Sequence, residues 1–232
     1  MTLSADSGYA NAQYDLAFLY EFGHGVPRDE NKAFQLFKLS AEQGNVDAQY
    51  SLYFAYKYGM GTLVNEPEET KWLKIAAGNG HPNAQYLLAI SEAEKGNADA
   101  ALKLTTLAAE QGLSDAQLSL GEYYYHGVGV PQDYKKSAAW ILKAASQGNA
   151  KAQANLGALY SKGHGVPSDF IIAYALINLA ASGDDEDISN KAKAVLNSFS
   201  TMPTSSILEA QKLSGKMRNI GITTAIEQYH AR

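Results

Sequence analysis

A glycine followed four residues later by an Ala-Gln pair recurs at Gly8, Gly44, Gly80, Gly112 and Gly148, at intervals of 36, 36, 32 and 36 residues. This period constrains the fold more than any other feature of the chain. A repeating unit of such length holds one supersecondary element, which buries its apolar face only by stacking on the next copy. The reading that follows is a single repeat domain over 1–232. It consists of a partial repeat at 1–7, repeats at 8–43, 44–79, 80–111, 112–147 and 148–182, a C-terminal cap at 183–220 and a loosely attached tail at 221–232.

Within each unit the residue types are spaced for helices. The pairs Ala12-Gln13, Ala48-Gln49, Ala84-Gln85, Ala116-Gln117 and Ala152-Gln153 are followed after four residues by Leu16, Leu52, Leu88, Leu120 and Leu156. After eight come Tyr20, Tyr56, Glu92, Tyr124 and Tyr160. Positions i, i+4 and i+8 share one helix face, where a small Ala lets a neighbour approach and Leu and Tyr fill the space beside it. The segments GHGVP, GMGTL, GVGVP and GHGVP then predict a helix stop, since glycine takes positive φ and proline cannot continue a helix. Asp29, Asp133 and Asp169 stand where a carboxylate caps the next helix. Each second helix carries a large residue (Leu36, Trp72, Leu104, Trp140, Leu176) one turn before a small pair such as Ala76-Ala77 or Ala144-Ala145.

The pattern Ala-x-x-x-Leu-Gly-x-x-Tyr, Gly-x-Gly-Val, Asp, Ala-x-x-Trp-x-x-x-Ala-Ala-x-x-Gly resembles the SEL-one-like repeat (SLR) family of the tetratricopeptide-repeat superfamily. The resemblance covers Gly8 to Gly183. It implies an all-α fold, a right-handed α-solenoid of about five antiparallel helix-pair repeats with a C-terminal helical cap. It also implies a non-catalytic scaffold that binds a protein or peptide partner on its concave face. The third unit departs from the pattern: Glu94-Lys95-Gly96-Asn97 stands in place of the glycine loop and Glu92 in place of Tyr, so the superhelix is expected to bend or narrow there. Beyond Gly183, the acidic run Asp184 to Asp187 reads as a charge-favoured helix start rather than a cation site. Met202-Pro203-Thr204 before Ile207 to Leu213 resembles the closing segment of bacterial SLR proteins.

In tetratricopeptide-type solenoids the first helices line the concave surface. Positions two, six and ten residues after each alanine face away from the Ala-Leu-Tyr stripe. They are Tyr14, Phe18 and Phe22 in the first unit, Tyr50, Phe54 and Tyr58 in the second, and Tyr86 and Ile90 in the third. Such a ladder of rings gives an interface large contact area at low entropic cost, although rings there can also close the groove between repeats. The fourth and fifth units change this face to Glu122, Tyr125 and His126 and to Asn155, Ala158 and Lys162. The candidate partner-binding residues are therefore Tyr14, Phe18, Phe22, Tyr50, Phe54, Tyr58 and Tyr86, with Tyr125 and His126 at a polar end. In the run Tyr123-Tyr124-Tyr125, only Tyr125 is expected to be exposed.

Other chemistries find no footing in the sequence. A net charge of −5 gives no basic footprint for nucleic acid. The longest apolar run, Ala173 to Ala181, is about half of what a bilayer span needs and is broken by Asn178. No cofactor, metal or catalytic residue is expected. The chain has no cysteine, no Gly-x-Ser-x-Gly elbow and no His pair at ligand spacing, and its glycine pairs lack the preceding strand of a phosphate loop. The resemblance implies an immunity protein neutralising a secreted antibacterial effector or, as the alternative, a bacterial signalling or envelope adaptor; a peptide or cell-wall hydrolase using the groove is less expected. The residues LSADSG align with LSAEQG at Leu39 to Gly44, inside a repeat. A leader removed upstream, with the bacterial periplasm or envelope as compartment, is favoured over a cytoplasmic start. The oligomeric state is open, with pairing of the partial repeat as a route to self-association.

Overall fold

The computed structural model describes residues 9–231, so the partial repeat expected at 1–7 lies outside the described residues. Among those residues there are thirteen α-helices and no strand. They are α1 (Ala10–Phe22), α2 (Glu30–Glu42), α3 (Val46–Tyr58), α4 (Glu66–Gly78), α5 (Pro82–Glu94), α6 (Ala98–Glu110), α7 (Ser114–His126), α8 (Tyr134–Ser146), α9 (Ala150–Lys162), α10 (Phe170–Ala180), α11 (Glu186–Asn197), α12 (Thr204–Ile220) and α13 (Ile222–His230). The chain divides into two compact units, one up to Ala108 and one from Ala109 on.

In the first unit α1 packs on α2 and α3 on α4, while α2 and α4 pack in turn on α3 and α5. Leu52 is fully buried between layers that also hold Ala17, Ala33, Phe37 and Ala55, and Phe34 and Trp72 close the edges. In the second unit α7 packs on α8, α8 on α9 and α9 on α10, around Leu118, Ile141, Leu156, Ile172 and Leu176. Each fully buried Leu or Ile contributes roughly 2 kcal/mol relative to exposure. The helices are short, 13 residues in every unit's first helix. Such helices are marginal in water, so packing rather than propensity holds them.

The links between paired helices follow one plan. Gly23, Gly59, Gly127 and Gly163 end their helices in the left-handed conformation. The backbone then crosses so that the next cap residue donates its N–H to the Tyr20, Tyr56, Tyr124 or Tyr160 carbonyl at 2.9–3.0 Å. Asp29, Asp133 and Asp169 cap the second helices through their carboxylates, and Asn65 does so in the second repeat. At Gly61 and Gly165 a glycine is needed for a second reason. An added Cβ would lie 2.0 Å from the Glu30 carbonyl oxygen and 1.9 Å from that of Tyr134, where the loop crosses the preceding repeat's second helix.

A polar contact that the repeat pattern marks without explaining joins each repeat to the last. The buried carboxamides of Gln49, Gln85, Gln117 and Gln153 donate to the Ala41, Ala77, Ala109 and Ala145 carbonyls at 3.2–3.3 Å. Those carbonyls belong to the frayed ends of second helices, where the backbone has no intrahelical donor. The Gln49 and Gln117 oxygens accept in turn from Asn79 and Gln147 at 2.9 and 2.8 Å. Each of these carbonyls also accepts the N–H of the glycine three residues on, at 3.0–3.1 Å, so the carboxamide fills its second acceptor site and ties the next repeat to it.

The acidic run at Asp184 to Asp187 does open a helix, with the Asp185 carboxylate accepting the Ile188 N–H at 3.0 Å. Helices α11 and α12 both pack on α10 and cover its apolar face with Ala192, Ala210, Leu213 and Met217. The tail expected at 221–232 is a correction: it holds α13, which packs on α12 and α8. Ile222, Ala225 and Ile226, at i, i+3 and i+4, form a buried stripe too short to stand out in a sequence otherwise polar.

Candidate binding surface

In the first unit the ladder forms as rows of rings along α1 and α3. Tyr14, Phe18 and Phe22 follow one another on α1, with ring centroids 6.4 and 4.6 Å apart. On α3, Tyr50 meets Phe54 edge-on at 4.9 Å and Phe54 stacks on Tyr58 at 5.9 Å. The two ends of each row differ. Tyr14 and Tyr50 are half-buried, the former against Phe37 at 5.7 Å and the latter stacked on His81 at 4.1 Å. Burial, with Asp47 near Tyr14 and Tyr53 near Tyr50, pushes both phenols up. Phe18, Phe22 and Tyr58 are 43%, 52% and 62% exposed, and Phe54 and Tyr86 are half-buried. The rows are thus rooted in the core at their N-terminal ends and open to solvent at their C-terminal ends.

His81 is a residue that sequence reasoning passed over. It occupies the cap position that Asn45 and Asn149 hold elsewhere, and its Nδ1 accepts the Ala84 N–H at 3.3 Å. Its Nε2 lies 3.6 Å from the Asp47 carboxylate. Burial holds the imidazole below its ordinary range, against the pull of Asp47. The capping geometry requires the neutral ring, because a protonated Nδ1 cannot accept.

In the second unit Glu122, Tyr125, His126, Asn155, Ala158 and Lys162, taken from the sequence as one face, line a single pocket of 260 Å³ between α7 and α9, floored by Ile141. A wider groove of 700 Å³ continues over α9 to Lys191 and Val195 on α11. The polar groups here satisfy one another. Glu122 accepts from Lys151 and Asn155, each at 3.2 Å. The Tyr125 hydroxyl meets His164 Nδ1 at 3.3 Å and the Lys162 ammonium at 3.4 Å. Tyr125 is half-buried among Tyr134, His126 and His164, with Tyr123 and Tyr124 half-buried beside it, so it is not singled out by exposure. His126 is exposed. His164 was legible only as a loop residue: its ring stacks on Tyr134 at 4.4 Å, across a repeat boundary that spacing does not reveal.

No group of three His, Cys, Asp or Glu side chains is placed to hold a metal ion among the described residues. Nor is any of their helices long and apolar enough to cross a membrane.

The Sel1 repeat family model matches residues 10–45, 82–113, 114–149 and 150–185. The chain belongs to the Sel1 repeat family. Residues 46–81 fall between the matched segments although they form the same helix pair, α3 and α4. That pair carries Tyr53 where the fourth and fifth repeats have Gly121 and Gly157, whose missing side chains let Ile141 and Ile177 approach. A protective antigen of uropathogenic Escherichia coli with an SLR fold, c5321, is similar over 99% of this chain at 29% identity, with a TM-score of 0.81. A Sel1 repeat protein from Oxalobacter formigenes is similar over 84% of this chain at 35% identity, with a TM-score of 0.71. The chain spans 50% and 58% of those two proteins. The immunity protein Pa5087 of Pseudomonas aeruginosa aligns with 85% of this chain and 71% of its own at 22% identity, with a TM-score of 0.48. A comparison with curated proteins finds no match. The fold is that of the SLR solenoids, a family whose repeats typically mediate protein–protein interaction.

Proposed function

We propose that this protein binds a polypeptide partner on its first-helix face, with the ladder of Phe18, Phe22, Phe54 and Tyr58 as the anchoring region. The observation that carries this reading is the exposure of stacked rings on α1 and α3, for which the described residues supply no cover. Aromatic side chains dominate interface energetics because they are large, stiff and apolar with a polar handle. Tyr14 and Tyr50, half-buried, contact Phe18 and Phe54 in the same rows, and Tyr86 is half-buried in the third repeat. Tyr125 and His126 contribute polar orientation at most, since Tyr125 is already engaged by His164 and Lys162.

The partner class we test first is a secreted antibacterial effector, since a net charge of −5 suits a basic polypeptide. A non-toxic captured partner would point to a signalling or envelope adaptor. The test is affinity capture from the source lysate with wild type beside a Phe18→Ala/Phe54→Ala variant. A partner retained by the first and weakened by more than about 1 kcal/mol in the second, at unchanged helicity, supports the ladder. Equal retention by both moves the site off these rings.

A further inference from the structure

Between α1, α2 and α3 the first unit encloses a cleft of 340 Å³, lined by Glu21, Phe22, Phe34, Phe37, Ser51 and Met60. Phe34 and Phe37 form its buried walls and Phe22 stands half out of it, 52% exposed. The cleft opens beside the aromatic ladder, since Phe22 belongs to both. Its one acidic wall residue without an internal partner is Glu21. Arg28 and Glu30, also at the cleft, form an ion pair with each other, which leaves the Glu21 carboxylate with no hydrogen bond or ion pair among the described residues.

Three sources of negative potential converge at this point. The Glu21 carboxylate lies in the last turn of α1, where the unpaired carbonyls of a helix C-terminus already repel an anion, and no basic residue stands in that turn to offset them. At the equivalent position of the next repeat stands Lys57, the charge the helix end favours. Glu30 adds to the repulsion from across the cleft. Burial first, then Glu30, push the Glu21 carboxyl above the usual carboxylate range, with Arg28 opposing. A carboxylate kept in this setting beside phenyl faces is a poor choice for stability and a good one for a cation. An apolar aliphatic stem would pack on Phe34, Phe37 and Met60, the charge would meet Glu21, and a planar guanidinium would stack on Phe22.

We propose that this cleft receives a basic side chain, arginine in first place, from the polypeptide that docks on the ladder. This rests on the ladder reading for the origin of the side chain, but the cleft itself can be tested without any partner. Arginine is preferred to lysine because its flat, weakly hydrated head both stacks on a ring and forks onto a carboxylate, whereas an ammonium keeps its water. The full acidic balance of the chain adds long-range attraction for such a partner.

The probe is N-acetyl-arginine amide, with N-acetyl-citrulline amide as its neutral twin of equal shape, titrated into the isotopically labelled full chain by NMR. The arginine amide should move the Met60 methyl and the Phe22, Phe34 and Phe37 ring signals, with affinity on the order of millimolar as befits one residue. Citrulline should bind at least tenfold more weakly, and Glu21→Gln should weaken the arginine amide by a similar factor with an otherwise unchanged spectrum. Equal responses to the two amides, no response to either, or an unchanged response in Glu21→Gln would overturn the proposal. Should arginine seat in the cleft while the ladder variant keeps its partner, the ladder reading fails alone. Should the ladder variant lose its partner while Glu21→Gln keeps both partner and probe binding unchanged, the cleft fails alone.

Discussion

The two compact units are built from the same repeat, and their first-helix faces differ in chemistry. In the second, charges and hydroxyls have closed on one another: Glu122 with Lys151 and Asn155, Tyr125 with His164 and Lys162. In the first, rings lie open on α1 and α3, and the Glu21 carboxylate in the neighbouring cleft makes no ion pair among the described residues, Arg28 being paired with Glu30. The frame beneath is shared, down to the glycine loops and the buried glutamines. A repeat scaffold can therefore change its surface without changing its skeleton, and what a face lacks internally is a better guide to binding than what it contains.

The strongest challenge to that comparison is to the shared frame. Gly61→Ala and Gly165→Ala place a Cβ 2.0 and 1.9 Å from a neighbouring carbonyl oxygen, at a backbone conformation that alanine resists. Each should cost about 2–4 kcal/mol in denaturant unfolding, the two values agreeing within error. A markedly milder loss at Gly61 would mean that the first unit is looser than the second. Its open rings would then reflect poor packing rather than a binding face.

Part of this was legible from residue spacing. The period placed the helix pairs, and Leu16, Leu52, Leu120 and Leu156 are buried as the stripe required, with Leu88 partly so. The acidic caps fell where a carboxylate satisfies the first turn. What escaped is whatever two distant stretches make together. Glu21 reads as a solvated helix residue until α2 and α3 are laid beside it, and Tyr125 reads as open until His164 arrives from the next loop. The glutamine of each Ala-Gln pair looked like part of a signature because its carbonyl partner lies eight residues back, on the preceding helix.

His81 gives a pH-dependent contrast between the units. Its folded-state pKa is lowered by burial, so the unfolded chain binds the proton more readily than the folded one. The stabilisation is present in full above the ordinary imidazole range, near 6.5, and is lost as pH falls from there through the folded value. Once the intrinsic pH dependence of exchange is divided out, the protection factors of the amides around α5 should fall on acidification across that window, while those of α9, capped by Asn149, stay level. His81→Asn, which keeps a capping oxygen and removes the titration, should flatten the response. Persistence of the pH slope in that variant would locate the titrating group elsewhere and remove the first unit's polar device.

The smallest expected effect lies in the second unit and tests how completely its polar groups are paired. Ser137 is fully buried against α7, and its hydroxyl is the one buried side-chain oxygen or nitrogen without a partner among the described residues. The equivalent positions of the first and fifth repeats are Ala33 and Ala173, both buried. Burying an unpaired hydroxyl carries a desolvation penalty that alanine avoids, at the loss of a single small atom. Ser137→Ala should therefore raise the unfolding free energy by about 0.5–1 kcal/mol, read as a higher denaturation midpoint at unchanged slope. A destabilised variant would mean that the hydroxyl bonds a group or water inside the core. The second unit would then be even more self-satisfied than its surface shows, and the contrast with the open face of α1 and α3 would sharpen.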